Sequence, residues 1–500
     1  MLAKYTNVRI LVSLLKQYNV ATLVISPGTK HLGLVKSVED DPFFTCYSVI
    51  DERSAAYFAT GLTLTNGPVA LLCTSAQATR NYIPGLTEAY YRGAPVLAIT
   101  ADYDESYVAY PQVIDQLAYP HDAVHISVDL PSTSSQATLT LRVNQALDAL
   151  SKGPSHINIR MEGHWAEGPA ELTPARKITR FAGKWPTLKS PALLVLGPGQ
   201  HRNNGPMAAF VETNDVAVYT SHISNYYGPK SVRGGVKVPP DTIITYGGPL
   251  GDYKLLGNLR GKGIPHWHLG SEFADTYGSL TWLLPPDEFF KEYTKSVATG
   301  TDYVKQWPKF QAPQDNGKLS QLLVAKTLGP RLPKGCNLHF SILNALRTWD
   351  KVPLDRSINC YSNVAAFGID GALSTFLGHA VSCDKPCFAI VGDLAFYYDM
   401  NILGNRHLRG NAKIVLINNH GGAEFLTNNH PASSYGSATV RHTAAMGHFG
   451  RSAEGWATDN NLTYYPCNKT EDLGPLIDKF IEPADRPALL EVQVEVDNEC

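Results

Sequence analysis

The chain has 500 residues, of which 44% are hydrophobic and 18% charged, and its 43 Lys and Arg against 45 Asp and Glu leave a formal net charge of −2. That length predicts about three domains, each large enough to bury its own core. The near balance of charge argues against a bulk nucleic-acid binder or a polybasic membrane protein, and leaves a small anionic ligand held by local groups compatible.

At the start of the chain, Lys4 and Arg9 sit inside an amphipathic pattern (Ile10, Leu11, Leu14, Leu15) that reads as a first helix, not a signal peptide. No apolar run approaches the ~20 residues of a membrane span, so the expectation is a soluble, cytoplasmic protein. Buried strands are then expected from Ala21 to Ile25, ending in Ser26-Pro27-Gly28; from Phe44 to Ile50, with a helix opening near Asp51; from Val69 to Cys73, ending in Thr74-Ser75-Ala76; and from Pro95 to Thr100. Strands separated by helical patterns imply a doubly wound parallel sheet.

A Pro- and Lys-rich stretch from Thr173 to Pro191 reads as a linker, and Ala192 to Leu196 opens a second α/β block with the turn Gly197-Pro198-Gly199. The glycine spacing of that turn matches neither a dinucleotide fingerprint nor a P-loop. A polar segment from Thr294 to Gly317 reads as the next linker. The fold expected is α/β, three doubly wound parallel-sheet domains over residues 1–175, 190–295 and 318–500. The first and third blocks share a strand–turn–helix organisation that suggests an internal duplication.

The cysteines (Cys46, Cys73, Cys336, Cys360, Cys383, Cys387, Cys467, Cys500) are scattered without the spacing of a zinc site. Cys383 and Cys387 are four apart with no second pair or histidine cluster in view. Most read as buried thiols of a reducing compartment.

The third block carries the strongest signal. Cys387 to Val391 reads as a buried strand running into Gly392-Asp393-Leu394, and Ala412 to Ile417 as a second running into Asn418-Asn419-His420-Gly421-Gly422. Phe396 to Leu408 is long enough for one crossover helix, which makes the two strands parallel. Asp393 and Asn419, 26 positions apart, then leave the sheet at its C-terminal edge, where open α/β sheets bind ligands. A carboxylate, an amide oxygen and a glycine-permitted carbonyl suit a Mg²⁺ that also takes phosphate oxygens. An ordinary βαβ unit with polar turns is the plainer reading of Gly-Asp alone; the Asn-Asn at the mirrored strand end favours the cofactor site.

With Ile50-Asp51-Glu52-Arg53, Cys73-Thr74-Ser75, Ile99-Thr100-Ala101-Asp102, Gln112-Val113-Ile114-Asp115-Gln116, Tyr361-Ser362-Asn363 and Gly368-Ile369-Asp370-Gly371 added in order, the chain resembles the thiamine-diphosphate-dependent 2-oxo-acid decarboxylases and carboligases. Within that class it looks most like the menaquinone-pathway synthases of the MenD type. The resemblance implies a pyrimidine-binding first domain, a central domain and a diphosphate-binding third domain. It also implies a homodimer or homotetramer with each site between subunits, and thiamine diphosphate with Mg²⁺ as cofactors.

The resemblance assigns Glu52 and Gln112 to catalysis, with Glu52 activating the cofactor's aminopyrimidine and Asp51 left to cap the helix. Asp393, Asn419 and the Gly421 carbonyl become the metal ligands. Thr74, Ser362, Asn363, Gly392, Leu394 and Gly422 face the cofactor, and Ile369 is its apolar wedge or a core residue. Thr29, Lys30 and Arg347 become substrate-binding groups; His31 is an acid/base or a bystander. Val364 and Tyr103 stand where the resemblance expects arginines that read substrate carboxylates. Losing two charge-assisted contacts costs several kcal/mol on a dianionic substrate, so the expected reaction is decarboxylation of a 2-oxo acid and transfer of the acyl unit to an acceptor different from that of the menaquinone synthases. A plain decarboxylase, a cofactor-free binding subunit and a nucleotide-dependent oxidoreductase using the Gly197-Pro198-Gly199 turn remain as rivals. Partners expected are small molecules and further copies of the chain, not nucleic acid or membrane.

Overall fold

A computed structural model describes residues 3–104, 113–161, 167–168, 171–294, 302–308, 311–366, 368–426, 430–447 and 452–495. The chain forms two compact units, Met1–Lys184 with Ser271–Leu283, and Trp185–Gly270 with Leu284–Cys500.

In the first unit, strands β1 (Thr22–Ile25), β2 (Thr45–Ser48), β3 (Val69–Cys73), β4 (Val96–Asp102), β5 (Ser127–Leu130) and β6 (Ser155–Arg160) make one sheet in the order β2-β1-β3-β4-β6-β5, every described pairing parallel. β3 and β4 are buried along their whole length, which is why they read as unbroken apolar runs instead of alternating ones. The helix Thr6–Gln17 sets Leu11, Leu14 and Leu15 into one core cluster with Leu97 and Ile99. β2 is shorter than the run from Phe44 to Ile50 and lies exposed at the sheet edge. β7 (Thr179–Arg180), inside the stretch expected to be a linker, pairs in parallel with Trp282 and Leu283.

The second unit holds two parallel arrays. β8 (Ala192–Leu196), β9 (Val216–Tyr219), β10 (Ser231–Val232), β11 (Thr242–Tyr246) and β12 (His266–Leu269) run in the order β10-β9-β8-β11-β12. After β13 (Leu280–Leu284), the strands β14 (Asn337–Phe340), β15 (Asn359–Ser362), β16 (Cys387–Gly392), β17 (Ala412–Asn418), β18 (Thr463–Cys467) and β19 (Ala488–Gln493) form a sheet in the order β15-β14-β16-β17-β19-β18. This is the same permutation as in the first unit, as an internal duplication requires. In both sheets the chain goes to opposite sides from its first strand, placing the switch point where ligands bind between β1 and β3, and between β14 and β16.

Two expectations are corrected. The single crossover helix from Phe396 is a short helix, Asp393–Tyr398, followed by a 3-10 turn, Met400–Gly404. The break falls at Asp399, whose buried carboxylate accepts from the Ser374 N–H (2.7 Å) and hydroxyl (2.6 Å). The polar segment from Thr294 is packed where it is described: Tyr303 and Trp307 are buried, and the Tyr303 N–H donates to Asp215 Oδ1. The Cys383–Cys387 pair has a histidine nearby, reached through Asn337. The two sulfurs lie 3.5 Å apart, each 3.5 Å from Asn337 Nδ2, which is 3.3 Å from His379 Nε2. Among the described residues no group of three His, Cys, Asp or Glu is placed to hold a metal, and no helix is long and apolar enough to cross a membrane.

Candidate active site

In the second unit, β16 and β17 pair with Gly392 opposite Ile417, so Asp393 and Asn419 emerge side by side at the C-terminal edge. Asp393 is 2% exposed. Its Oδ2 accepts the N–H groups of Asn419 (3.0 Å) and Gly421 (2.9 Å), and its Oδ1 accepts that of Leu394 (2.6 Å). Burial raises its pKa above the ordinary aspartate value, and the backbone N–H bonds pull it back down. Asn419 Oδ1 and Ser362 Oγ are buried and have no hydrogen-bond partner. An unshared amide oxygen beside a buried carboxylate is the donor set a hard divalent cation takes, so these residues fit Mg²⁺ and the phosphate oxygens it carries.

The glycines of this loop are fixed by packing. A Cβ on Gly421 would lie 2.4 Å from Met446 Sδ and 2.8 Å from the Ala444 carbonyl, and one on Gly422 3.0 Å from Phe425. A Cβ on Gly392 would meet nothing within 4 Å, leaving that side open. The other expected cofactor groups are partly engaged. The Gly421 carbonyl accepts the Ala423 N–H and keeps a second lone pair. The Gly392 N–H reaches Ser341 Oγ at 3.4 Å, and the Leu394 N–H is turned onto Asp393. Asn363 Nδ2 donates to the Gly371 carbonyl and Thr375 Oγ1, tying its loop to the following helix. Ile369 packs against two core clusters, which supports its core reading.

Sequence reasoning missed what holds this loop. Glu491, 1% exposed on β19, accepts from Asn418 Nδ2 (2.6 Å), the Ala453 N–H and the Tyr464 hydroxyl. Asn418 Oδ1 in turn accepts the His420 N–H. A Glu inside an apolar strand was the available signal.

Arg347 lies in the helix Asn344–Trp349 and is half-buried, its guanidinium paired with Glu424 at 2.5 Å and close to the Tyr253 ring. It lines a cavity of about 420 Å³ together with Leu250, Leu343, Leu346 and Val364.

In the first unit, Gly28 follows β1 and Thr74 follows β3, at the switch point. A Cβ on Gly28 would lie 2.4 Å from Thr74 Cβ, so only glycine allows the two loops to approach. Thr29 is exposed, and the Lys30 ammonium lies over the Tyr103 ring. His31 is 2% exposed and its pKa is lowered by burial, as suits the bystander reading. Asp102, also buried, fixes the segment bearing Tyr103: it accepts the Tyr103 N–H and Asn158 Nδ2 and pairs with Arg160.

Asp51 caps the helix Glu52–Asn66 by accepting the Ser54 N–H at 3.1 Å. Glu52 is the helix's first residue, half-buried, and its Oε2 is 3.4 Å from Asn81 Nδ2. Gln112 lies outside the described residues. The Gly197 turn is no open phosphate cradle, because a Cβ there would sit 1.9 Å from the Gly248 carbonyl.

Residues 6–119 match the family model described as the thiamine pyrophosphate enzyme N-terminal TPP binding domain. The chain is 30% identical to the 2-succinyl-5-enolpyruvyl-6-hydroxy-3-cyclohexene-1-carboxylate synthase of Bacteroides thetaiotaomicron over 97% of this chain and 95% of that protein. It is also 30% identical to the synthase of the same name from Desulfotalea psychrophila, over 95% of each, and to that of Flavobacterium johnsoniae over 81% of each. The chain therefore belongs to the family of these MenD-type synthases, thiamine-diphosphate-dependent enzymes of the carboligase type.

Proposed function

We propose that the chain releases CO₂ from a 2-oxo acid and transfers the remaining acyl unit to a small-molecule acceptor other than that of the menaquinone synthases, using thiamine diphosphate and Mg²⁺. Bound thiamine diphosphate supplies a carbon nucleophile and an electron sink for the departing carboxylate. The single observation that carries the reading is the buried Asp393 carboxylate beside the unshared Asn419 Oδ1. In this reading Asp393, Asn419 and the Gly421 carbonyl hold Mg²⁺, and Ser362 and the Gly392 side of the loop receive the diphosphate. Glu52 exchanges a proton with the aminopyrimidine ring, and Gln112 and Thr29 face the substrate.

Residues 1–175, 190–295 and 318–500 take the pyrimidine-binding, central and diphosphate-binding roles. Self-association is supported by the apolar side chains exposed around the Glu52 helix, among them Ile50 (80% exposed), Leu64 (74%) and Tyr57 (48%), a patch suited to a second copy. The free cysteines of the described residues are compatible with a cytoplasmic setting.

The test is a calorimetric titration of metal-stripped protein with thiamine diphosphate, with and without Mg²⁺, followed by a 2-oxo-acid screen for CO₂. Saturable binding that needs Mg²⁺ and is lost in Asp393→Ala is expected. Binding that ignores both the metal and the substitution removes the proposed site.

A further inference from the structure

The cavity beside Arg347 has both an apolar and a charged lining. Its wall is apolar at Leu250, Leu343, Leu346 and Val364, and its charged groups are the guanidiniums of Arg233 and Arg347, the ammoniums of Lys254 and Lys351 and the carboxylates of Asp252 and Asp350. Neither fork is turned to a ligand. Arg347 Nη1 meets Glu424 Oε1 at 2.5 Å, with the two side chains only 31% and 16% exposed, and Arg347 Nη2 reaches toward the Gly251 carbonyl at 3.4 Å. Arg233 is held by Asp350, through its backbone carbonyl and its carboxylate.

Glu424 is the second residue of the 3-10 turn Ala423–Leu426 that directly follows Gly421 and Gly422, so the carboxylate neutralising Arg347 is carried by the same loop as the proposed metal ligands. On the other side, Val364 is two residues past Ser362 and 2% exposed. Leu343, at the start of the Arg347 helix, is held at φ 65°, a conformation that a leucine adopts only where its surroundings impose it. The apolar wall is therefore a constructed surface.

We infer, building on the proposed carboligase reading, that Glu424 is a specificity-determining residue. It stands on Arg347 as an internal carboxylate, so the substrate portion entering this cavity is uncharged, an apolar or hydroxylated side chain of the 2-oxo acid. A second carboxylate there would have to displace Glu424 from a half-buried pair, leaving one carboxylate unpaired in a low-dielectric setting. Lys254 and Lys351 also line the cavity, but an ammonium is a point charge, whereas the planar fork of arginine reads a carboxylate through two bonds, and both forks are taken.

The experiment compares wild type, Glu424→Gln and Glu424→Gln/Arg347→Gln. Succinate, as a cofactor-independent probe of the carboxylate site, is titrated calorimetrically into each. CO₂ release from pyruvate, 2-oxoisovalerate and 2-oxoglutarate is then measured with thiamine diphosphate and Mg²⁺ present. Wild type is expected to favour the uncharged side chains in kcat/KM. Glu424→Gln should tighten succinate and shift the kcat/KM ratio toward 2-oxoglutarate by ~10–100-fold, the worth of one charge-assisted contact, and the double variant should lose that gain.

Wild type that binds succinate as tightly as Glu424→Gln, or that prefers 2-oxoglutarate, overturns the inference. If the single variant fails to fold, the wild-type preference between 2-oxoglutarate and the uncharged 2-oxo acids still decides it. Failure of the carboligase reading looks different: no 2-oxo acid yields CO₂ with any protein, while the succinate titrations still report on Glu424.

Discussion

The Lys30 ammonium lies 3.7 Å from the centroid of the Tyr103 ring, and Tyr103 is one of the two positions, with Val364, at which this chain departs from the arginines that the resemblance implies. The pair is built from separate loops, one after β1 and one after β4. Its cation–π attraction contributes about 0.5–1 kcal/mol at a partly exposed site. Tyr103→Leu is expected to lose about that much in urea unfolding, and Tyr103→Arg more, because two cations then face each other. Equal losses would show that the ring acts by packing alone.

Glu52 is expected to matter to chemistry far more than to folding. Its one described side-chain hydrogen bond, from Asn81, is long at 3.4 Å, and the helix start is capped by Asp51. Glu52→Gln should change stability by less than ~0.5 kcal/mol while lowering CO₂ release by ~10²-fold or more, the usual worth of a positioned proton-transfer group. Thiamine diphosphate binding by calorimetry should stay within a few fold of wild type; a variant with wild-type turnover would remove Glu52 from the mechanism.

In the proposed metal site, Asp393 couples Mg²⁺ binding to pH. Its folded-state pKa is raised by burial, so the metal-free protein keeps this group's stabilising contribution below the ordinary aspartate range and loses it as pH rises through the raised value. Mg²⁺ competes for the same carboxylate, so its apparent affinity should weaken on acidification, beginning at a higher pH than for an ordinary aspartate. Mg²⁺ titrations from neutral to acidic pH check this, and a flat profile contradicts it.

Buried neutral histidines predict acid lability. His156 is lowered to about 3 by burial, His222 to about 4 by burial and then Arg233, and His339 to about 3 by burial and then His379. Each is neutral in the folded protein but takes a proton near 6.5 when unfolded. The stability is therefore present above that value and falls as pH drops toward the folded values, by ~1.4 kcal/mol per pH unit per histidine at most. Denaturant unfolding between pH 7 and 4 should show this slope, and His156→Gln should flatten it. The His156 ring now bridges Thr100 Oγ1 and Ser127 Oγ, and an amide can replace only part of that bridge.

What the sequence made legible was local. The ends of β1, β3, β16 and β17 could be read because buried parallel strands are uninterrupted apolar runs stopped by Pro, Gly, Asp or Asn, and Asp51 before Glu52 is a helix start by chemistry alone. Pairings across the fold were not legible. Glu424 meets Arg347 from 77 residues away and Glu491 holds Asn418 from 73 away, and nothing in either local pattern names the partner. The resemblance assigns Asn363 to the cofactor, and its amide N–H bonds to Gly371 and Thr375 are contacts that its local pattern does not name. The crossover after Asp393 read as one helix because its apolar spacing continues past Asp399, whose bonds to Ser374 only the tertiary structure reveals.

The contact between Gly28 and Thr74 separates two kinds of position at the mouth of the first unit's sheet. Residue 28 is fixed as glycine by the approach of Thr74, whereas Thr29 is exposed and Lys30 lies over the Tyr103 ring. In the proposed function, substitutions at Thr29 and Lys30 change the groups that face the substrate without disturbing the turn that presents them.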